Sequence, residues 1–374
     1  MIPVFRPSYG QEEFDAVREV MSSGWVGLGP KTREFEEKFQ AYLGSGYASA
    51  LNSGTAALHL AMLMADIKGR EVITTPMTFV STNHAILYSG GIPVFADIEP
   101  DTCNIDADCV EKLITKKTRA IVVVHYGGHA CRMDKIMRLA RKHKLLVIED
   151  CAHAAGGEFK GKKLGTFGDF ACFSFHAVKN LATGEGGMLV CRRKADYQHA
   201  TRLRWLGISK DTWSRETKVK YSWYYFVEEV GWKAHLNDIP SAIGIVQLRR
   251  LDQTNAARRE RAERYGRELA DLDWMTLPVV QPNTAPAWHN YVIKTEHRDG
   301  LNAWLAQRGI ATGVHYIPNN HYPMYKRCKG KTPVCEKVWA TLLTLPLFPD
   351  LTADEQSQVI AEIRAYGRDK GLNA

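Results

Sequence analysis

Between Glu71 and Glu149 the chain alternates two textures. Nearly unbroken apolar runs, Glu71–Thr75, Pro93–Ala96, Ala120–His125 and Leu145–Glu149, are separated by stretches whose apolar residues recur at helical spacing, Phe79–Ser89, Asp106–Ile114 and Met133–His143. Strands without period-two alternation are covered on both faces, so this pattern predicts a mostly parallel sheet between two layers of helices. Ahead of it, Phe14, Val17, Val20 and Met21 mark a helix over 11–23, and a charged helix is predicted from Thr32 to Leu43. A glycine-rich loop, Ser22–Pro30, joins them, and a further apolar helix should end at Met64. Further along, Phe170–Phe175 and Met188–Val190 read as strands on either side of a polar crossing. An apolar helix from Ile239 to Leu251 continues through an arginine-rich stretch to Arg267. Beyond about residue 274 the texture loosens, with a helix expected at Leu301–Arg308, a strand at Thr312–Ile317 and a last helix at Ala353–Tyr366. The expected division is a large α/β domain over residues 1–250 and, over 251–374, a bridging helix with a small C-terminal α/β domain.

Composition narrows this picture without redirecting it. In 374 residues, 45% hydrophobic and 24% charged content is that of an ordinary globular protein. Lys+Arg 49 against Asp+Glu 41 leaves a charge of +8, suited to an anionic small molecule. The basic stretches Arg132–Lys144 and Arg249–Arg264 read as solvated helix faces, and no basic patch interleaved with aromatics points to nucleic acid. Eight cysteines are scattered without a C-x-x-C, the usage of reduced thiols in a cytoplasmic protein. No apolar run is long enough to span a membrane, the N-terminus lacks signal-peptide architecture, and no metal site is expected.

Four features carry chemistry. Asn52-Ser53-Gly54-Thr55 opens a predicted helix, where free backbone amides and hydroxyls make an anion site or an ordinary cap. Glu149-Asp150-Cys151-Ala152-His153 ends an apolar strand, where ligands of open sheets collect, although a lone acid there also serves as a helix cap. Lys179 stands near Ser174 and His176, between a strand and the turn Thr183-Gly184-Glu185-Gly186-Gly187; it either reacts or sits on the rim of a tight hairpin. Phe79 follows an apolar strand and Pro76, placed to stack on a flat ring or to pack into the core. Together they describe a place for a phosphorylated, planar, electron-accepting ring, which is the outfit of pyridoxal 5′-phosphate.

The chain resembles the DegT-type (DegT/DnrJ/StrS) nucleotide-sugar aminotransferases, of the aspartate-aminotransferase fold type. The likeness rests on F-R-P near the start, N-S-G-T-A-A-L-H-L at 52–60, T-P-M-T-F-V-S-T at 75–82 and P-V-F-A-D-I at 93–98. It continues through E-D-C-A-H-A at 149–154, G-D-F-A-C-F-S-F-H-A-V-K-N at 168–180 and T-G-E-G-G at 183–187. Last come L-N-D-I-P-S-A-I-G-I-V-Q-L at 236–248, V-H-Y-I-P at 314–318 and L-P-L-F-P-D-L-T at 345–352, so the whole chain is covered. The resemblance implies a PLP-dependent transferase of fold type I, with pyridoxamine 5′-phosphate as its intermediate form.

On these positions the family scheme makes Lys179 the Schiff-base lysine and pairs Asp150 with the pyridine nitrogen. It sets His153, where many relatives have glutamine, near the ring oxygen O3′, and stacks Phe79 on the ring. Gly54, Thr55 and Ser174 would hold the phosphate. A second subunit of a homodimer would contribute from Gly231–Asp238, where Lys233 replaces a common asparagine and His235 a common arginine. The substrate side is expected from Trp25, His176, His315 and Tyr316. Asn320 stands where relatives often have histidine, with His321 next to it. The implied reaction carries nitrogen from L-glutamate to a nucleotide-linked keto-sugar. Ala177, Asn180 and Lys233 resemble the UDP-4-amino-4-deoxy-arabinose branch and favour C4 over C3. Alternatives inside the family are a keto-cyclitol aminotransferase, a sugar 3-dehydratase, whose members replace the lysine with histidine, and a non-catalytic regulator.

Overall fold

The computed structural model describes residues 1–208 and 225–373. Its centre is a seven-stranded sheet in the order β1-β9-β8-β5-β4-β2-β3. The strands are β1 (Tyr47–Leu51), β2 (Glu71–Thr74), β3 (Ile92–Phe95), β4 (Thr118–Val124), β5 (Leu146–Asp150), β8 (Phe170–Ser174) and β9 (Gly187–Cys191). All run in one direction except β9, which is antiparallel to both β1 and β8. The four apolar runs read from the sequence are β2 to β5, and the three helical stretches between them are helices Val80–Tyr88, Ala107–Leu113 and Met133–His143.

Alternation along each strand assigns its residues to one of two apolar layers. Val147 and Cys151 of the β5 segment join Ala171 and Phe173 of β8 in a layer with Phe35, Phe39, Leu248 and Leu251. Ile148 and Cys172 face the other way, into a layer with Leu58, Leu60 and Met62 of helix Gly54–Met64. Side chains one residue apart on a strand therefore belong to different sides of the sheet. That rule decides the fate of the two adjacent acids at the end of β5.

The long helix Asp238–Glu268 gives Leu248 and Leu251 to the first layer and Ala262 and Tyr265 to a separate core near the C-terminus. That core also holds Ile2, Leu301, Leu305, Ile360 and Ile363. Its sheet is a pair, β11 (Tyr291–Lys294) and β12 (Leu342–Leu345), antiparallel. Short strands β6 (Glu158–Phe159), β7 (Lys162–Lys163) and β10 (Thr284–Ala285) form a third sheet. The strand expected at Thr312–Ile317 does not form; only Gly313 bridges, exchanging backbone hydrogen bonds with Thr344. β12 supplies the regular strand instead, and the segment after Gly313 is diverted into the wall of a cavity. Among the described residues no helix is long and apolar enough to cross a membrane.

Candidate active site

Because six of the seven strands point the same way, their C-terminal ends open on one side of the sheet, where ligands of such sheets bind. A cavity of about 350 Å³ lies there. Its wall includes Val124 at the end of β4, Asp150 at the end of β5, Ser174 at the end of β8, and Ser53, Gly54 and Thr55 just after β1. Lys179, from the crossing between β8 and β9, lines it as well.

The helix beginning at Gly54 is capped by Ser53, whose Oγ accepts from the Ala56 amide at 3.1 Å. A Cβ on Gly54 would meet the Ser174 Cβ at 2.8 Å, so only glycine lets the helix start approach β8 this closely. Gly187 is equally constrained, since a Cβ there would lie 2.4 Å from the Ser53 carbonyl oxygen. The outcome is a helix N-terminus with hydroxyls of Thr55, Ser81 and Ser174 around it, chemistry suited to a phosphate.

Asp150 is buried, and its bonds come from neutral donors: the Thr82 hydroxyl at 2.7 Å and the Ala152 amide at 3.0 Å. Burial raises its pKa, opposed by those hydrogen bonds and by the charge of Lys179. No arginine or lysine lies within ion-pair distance of it among the described residues, which leaves a buried carboxylate suited to a ligand cation such as a protonated ring nitrogen. The Lys179 amine likewise has no hydrogen bond or ion pair among the described residues, and burial lowers its pKa to about 8 against the pull of Asp150. His153 is buried beside both; its Nδ1 accepts from the Gly127 amide at 3.3 Å and its Nε2 lies 2.9 Å from the Tyr316 hydroxyl. Burial and Lys179 push its pKa well down. Phe79 is 57% exposed at the cavity wall, its ring 5.9 Å from that of Tyr316, so packing into the core is ruled out.

The cavity thus brings together Lys179, Asp150, His153, Gly54, Thr55, Phe79, Ser174, His176, His315 and Tyr316. Four residues expected at the site lie elsewhere within this chain. Trp25 donates from Nε1 to the Leu28 carbonyl, in a loop tied to Asp238 through the Gly29 amide. Lys233 is exposed with its amine 4.6 Å from the Trp205 ring centre. Asn320 and His321 are both drawn to Glu336, at 2.6 and 2.7 Å, because that carboxylate offers each a strong partner outside the cavity. Sequence reasoning passed over Thr82 and His289. Thr82 sits in the first turn of the helix that Phe79 precedes and inside a motif already noted, a usable signal. His289 reaches the wall from the distant segment before β11, and nothing local announces it.

The donor set fits a phosphorylated pyridine ring, and comparison with known proteins agrees. The model of the DegT/DnrJ/EryC1/StrS aminotransferase family matches residues 7–364. The spore coat polysaccharide biosynthesis protein SpsC of Bacillus subtilis is 39% identical over 378 residues, covering 97% of this chain and 96% of SpsC. The aminotransferase TlmJ from Streptoalloteichus hindustanus superimposes with a TM-score of 0.93 at 34% identity over 100% of both chains. Spr1654 from Streptococcus pneumoniae, solved in a pyridoxamine phosphate form, gives 0.92 at 29% identity over 99% of this chain and 100% of its own, and it is also known in apo and PLP forms. This chain belongs to the DegT/DnrJ/EryC1/StrS family and is a fold type I aminotransferase that uses pyridoxal 5′-phosphate.

Proposed function

We propose that the enzyme transfers the amino group of L-glutamate to the keto carbon of a nucleotide-linked sugar, with C4 preferred over C3, and works as a homodimer. The observation that carries the catalytic part is that one cavity holds the Lys179 amine, its pKa lowered to about 8, and the buried Asp150 carboxylate, neither with an ion pair among the described residues. The cofactor, when bound, supplies an electron sink. Asp150 would hold its ring nitrogen protonated, Phe79 would cover one ring face, and the Gly54 helix start with Thr55 and Ser174 would take the phosphate. Lys179 would anchor it covalently and, once displaced by the amino donor, take the proton from the donor's α-carbon. Burial favours the neutral form of this amine, the form that a general base needs.

Support for a sugar acceptor comes from the polysaccharide role in the name of SpsC and from the resemblance on which the reading began. The net charge of +8 suits a diphosphate-linked substrate. The C4 preference draws on Ala177, Asn180 and Lys233 alone, and the dimer on the positions of Trp25 and Lys233, which lie outside their own chain's cavity.

The test begins with borohydride reduction of the protein loaded with pyridoxal 5′-phosphate and peptide mapping, which should place the pyridoxyl group on Lys179. Lys179→Ala should then lower turnover to background. Enzyme converted by glutamate to its pyridoxamine form is offered matched UDP-, dTDP- and GDP-linked 3-keto and 4-keto sugars. Return of the visible band reports acceptance, and NMR of the product locates the new nitrogen. Turnover confined to 3-keto sugars removes the C4 assignment, and turnover only with a free keto-cyclitol removes the nucleotide-sugar acceptor. Sedimentation of a fully active monomer would remove the dimer.

A further inference from the structure

The cofactor cavity lies where β4 and β5 end, and a second hollow lies where they begin. β2, β4 and β5 are parallel, so Arg70 just before β2, Arg119 near the start of β4 and Leu145 just before β5 come together at one end of the sheet. They line a groove of about 570 Å³ with Lys116, His143 and Lys144. β4, Thr118–Val124, separates the two hollows by its whole length. That is about 20 Å at the rise of a strand.

The wall of the groove carries four permanent cations, Arg70, Lys116, Arg119 and Lys144, and no carboxylate among the described residues. The acid next to Arg70 is already occupied. Glu71 accepts from Lys329 Nζ at 2.7 Å and from Thr115 Oγ1 at 2.6 Å, and these bonds hold its pKa down. The side chains of Arg70, Lys116 and Lys144 make no hydrogen bond or ion pair among the described residues. Other lysines of the same basic stretch behave differently: Lys135 pairs with Asp108 at 3.3 Å and Lys142 with Glu111 at 2.8 Å. Cations on the open helix face thus find acids, and those around the groove do not.

Two of the four are placed by the backbone. Arg119 Nε donates to the Ala65 carbonyl at 2.9 Å, just past helix Gly54–Met64, which leaves both terminal nitrogens without a partner among the described residues. Lys144 ends helix Met133–His143 with φ 54° and ψ 41°, a left-handed conformation in which glycine is the usual residue. Helices Ala107–Leu113 and Met133–His143 both end at the groove, next to Ile114 and Lys144 of its wall. Each helix end contributes about half a negative charge, so about three of the four positive charges stay uncompensated. Two linked phosphoryl groups carry about that much negative charge. No aromatic ring lines the groove, so nothing there stacks on a nucleobase.

We propose that this groove is a second anion site, which takes a small free diphosphate on Arg70, Lys116, Arg119 and Lys144. Its occupancy is independent of the chemistry at Lys179, because the length of β4 lies between them.

The experiment is calorimetric titration with inorganic diphosphate of the enzyme loaded with pyridoxal 5′-phosphate, so that the cofactor's phosphate position is already filled. Three proteins are compared: the parent, Arg70→Gln/Lys144→Gly, and Arg267→Gln/Arg368→Gln, which removes the same charge from exposed helix positions elsewhere. Parent and control should show a binding event that is weakened about tenfold or more in the groove variant, as loss of charge-assisted hydrogen bonds implies. Lys144→Gly alone should weaken binding while the thermal midpoint of the ligand-free protein holds or rises, since glycine suits the left-handed turn. That single variant decides the matter should the double variant fail to fold. Orthophosphate should bind more weakly than diphosphate, and UDP no more tightly at this site. The same isotherm in parent and groove variant overturns the site. An equal loss in the control assigns the effect to net charge and overturns it as well. Orthophosphate binding as tightly as diphosphate removes the two-phosphoryl assignment. Retention on phosphatidylcholine vesicles containing phosphatidate, without uptake of free diphosphate, would give the patch to a lipid surface instead.

Discussion

Glu149 and Asp150 are neighbours at the end of one strand, both buried, and the alternation of the strand sends them to opposite sides of the sheet. Glu149 is saturated. Its Oε1 accepts from the amides of Phe167 at 2.8 Å and Gly168 at 2.6 Å, and its Oε2 from the amide of Gly165 at 3.0 Å and from His125 Nε2 at 3.1 Å. The direction of the last bond is set by the Cys131 amide, which donates to His125 Nδ1. His125, Glu149 and Cys151 lie close enough to suggest metal ligands, but the imidazole and carboxylate atoms are already committed to these partners. Asp150, one residue on, has two neutral donors and no ion pair among the described residues, and shares its cavity with Lys179, whose charge acts on it across the space between them. The pair separates two settings of a buried carboxylate: one fastens the loop 165–168 to the sheet, and the other faces a cavity with part of its bonding capacity unused.

Exchanging each acid for its amide should break this comparison cleanly if it is wrong. Asp150→Asn removes the charge proposed above to hold the cofactor nitrogen protonated and keeps the shape, so kcat should fall by about 10²-fold or more. The thermal midpoint of the apo-protein should hold or rise, because burial already disfavours the charged form. Glu149→Gln should do the reverse. Its amide would turn an N–H₂ toward backbone N–H donors, leaving buried groups unsatisfied at a cost of about 2–3 kcal/mol. Urea denaturation should show that loss, with kcat per folded molecule within about threefold of the parent protein. A Glu149→Gln protein of full stability, or an Asp150→Asn protein of full activity, would show that the two acids are not divided in this way.

The sequence already exposed much of this, and the reasons for the gaps are local. Apolar runs without alternation are visible as buried parallel strands, and β2 to β5 were read where they occur. Thr312–Ile317 has the composition of a strand but spends its backbone on one bridge to Thr344 and the His315 and Tyr316 side chains on the cavity, an outcome fixed by what lies across from it. The acids of β5 were visible as an unusual strand end. Which of them faces the cavity follows from strand phase, but the three amides that saturate Glu149 belong to a loop whose path no local pattern gives. Lys179 and Asp150 were legible from chemistry and motif together. The direction of the His153–Tyr316 bond was not, since it depends on the Gly127 amide, which approaches only in the folded chain.

The smallest expected effect sharpens the comparison from the Lys179 side. Its pKa in the folded apo-protein is about 8, against an ordinary value of 10.5, because burial penalises the ammonium. Below pH 8 both folded and unfolded chains hold this proton, and the penalty for burying the charge is fully present. Between pH 8 and 10.5 the folded chain has released the proton while the unfolded chain keeps it, so this group makes stability rise with pH across that window. Lys179→Met removes the charge and fills similar space. It should raise the stability of the apo-protein by about 1–2 kcal/mol at pH 7, less than the full shift implies because the amine borders an open cavity. At pH 10.5 the two proteins should differ by far less, since little penalty then remains. Urea denaturation of both apo-proteins at pH 7, 9 and 10.5 measures the gap. A gap that stays constant with pH would mean that the Lys179 ammonium is compensated after all, and that the cavity side of β5 is as fully paired as the Glu149 side.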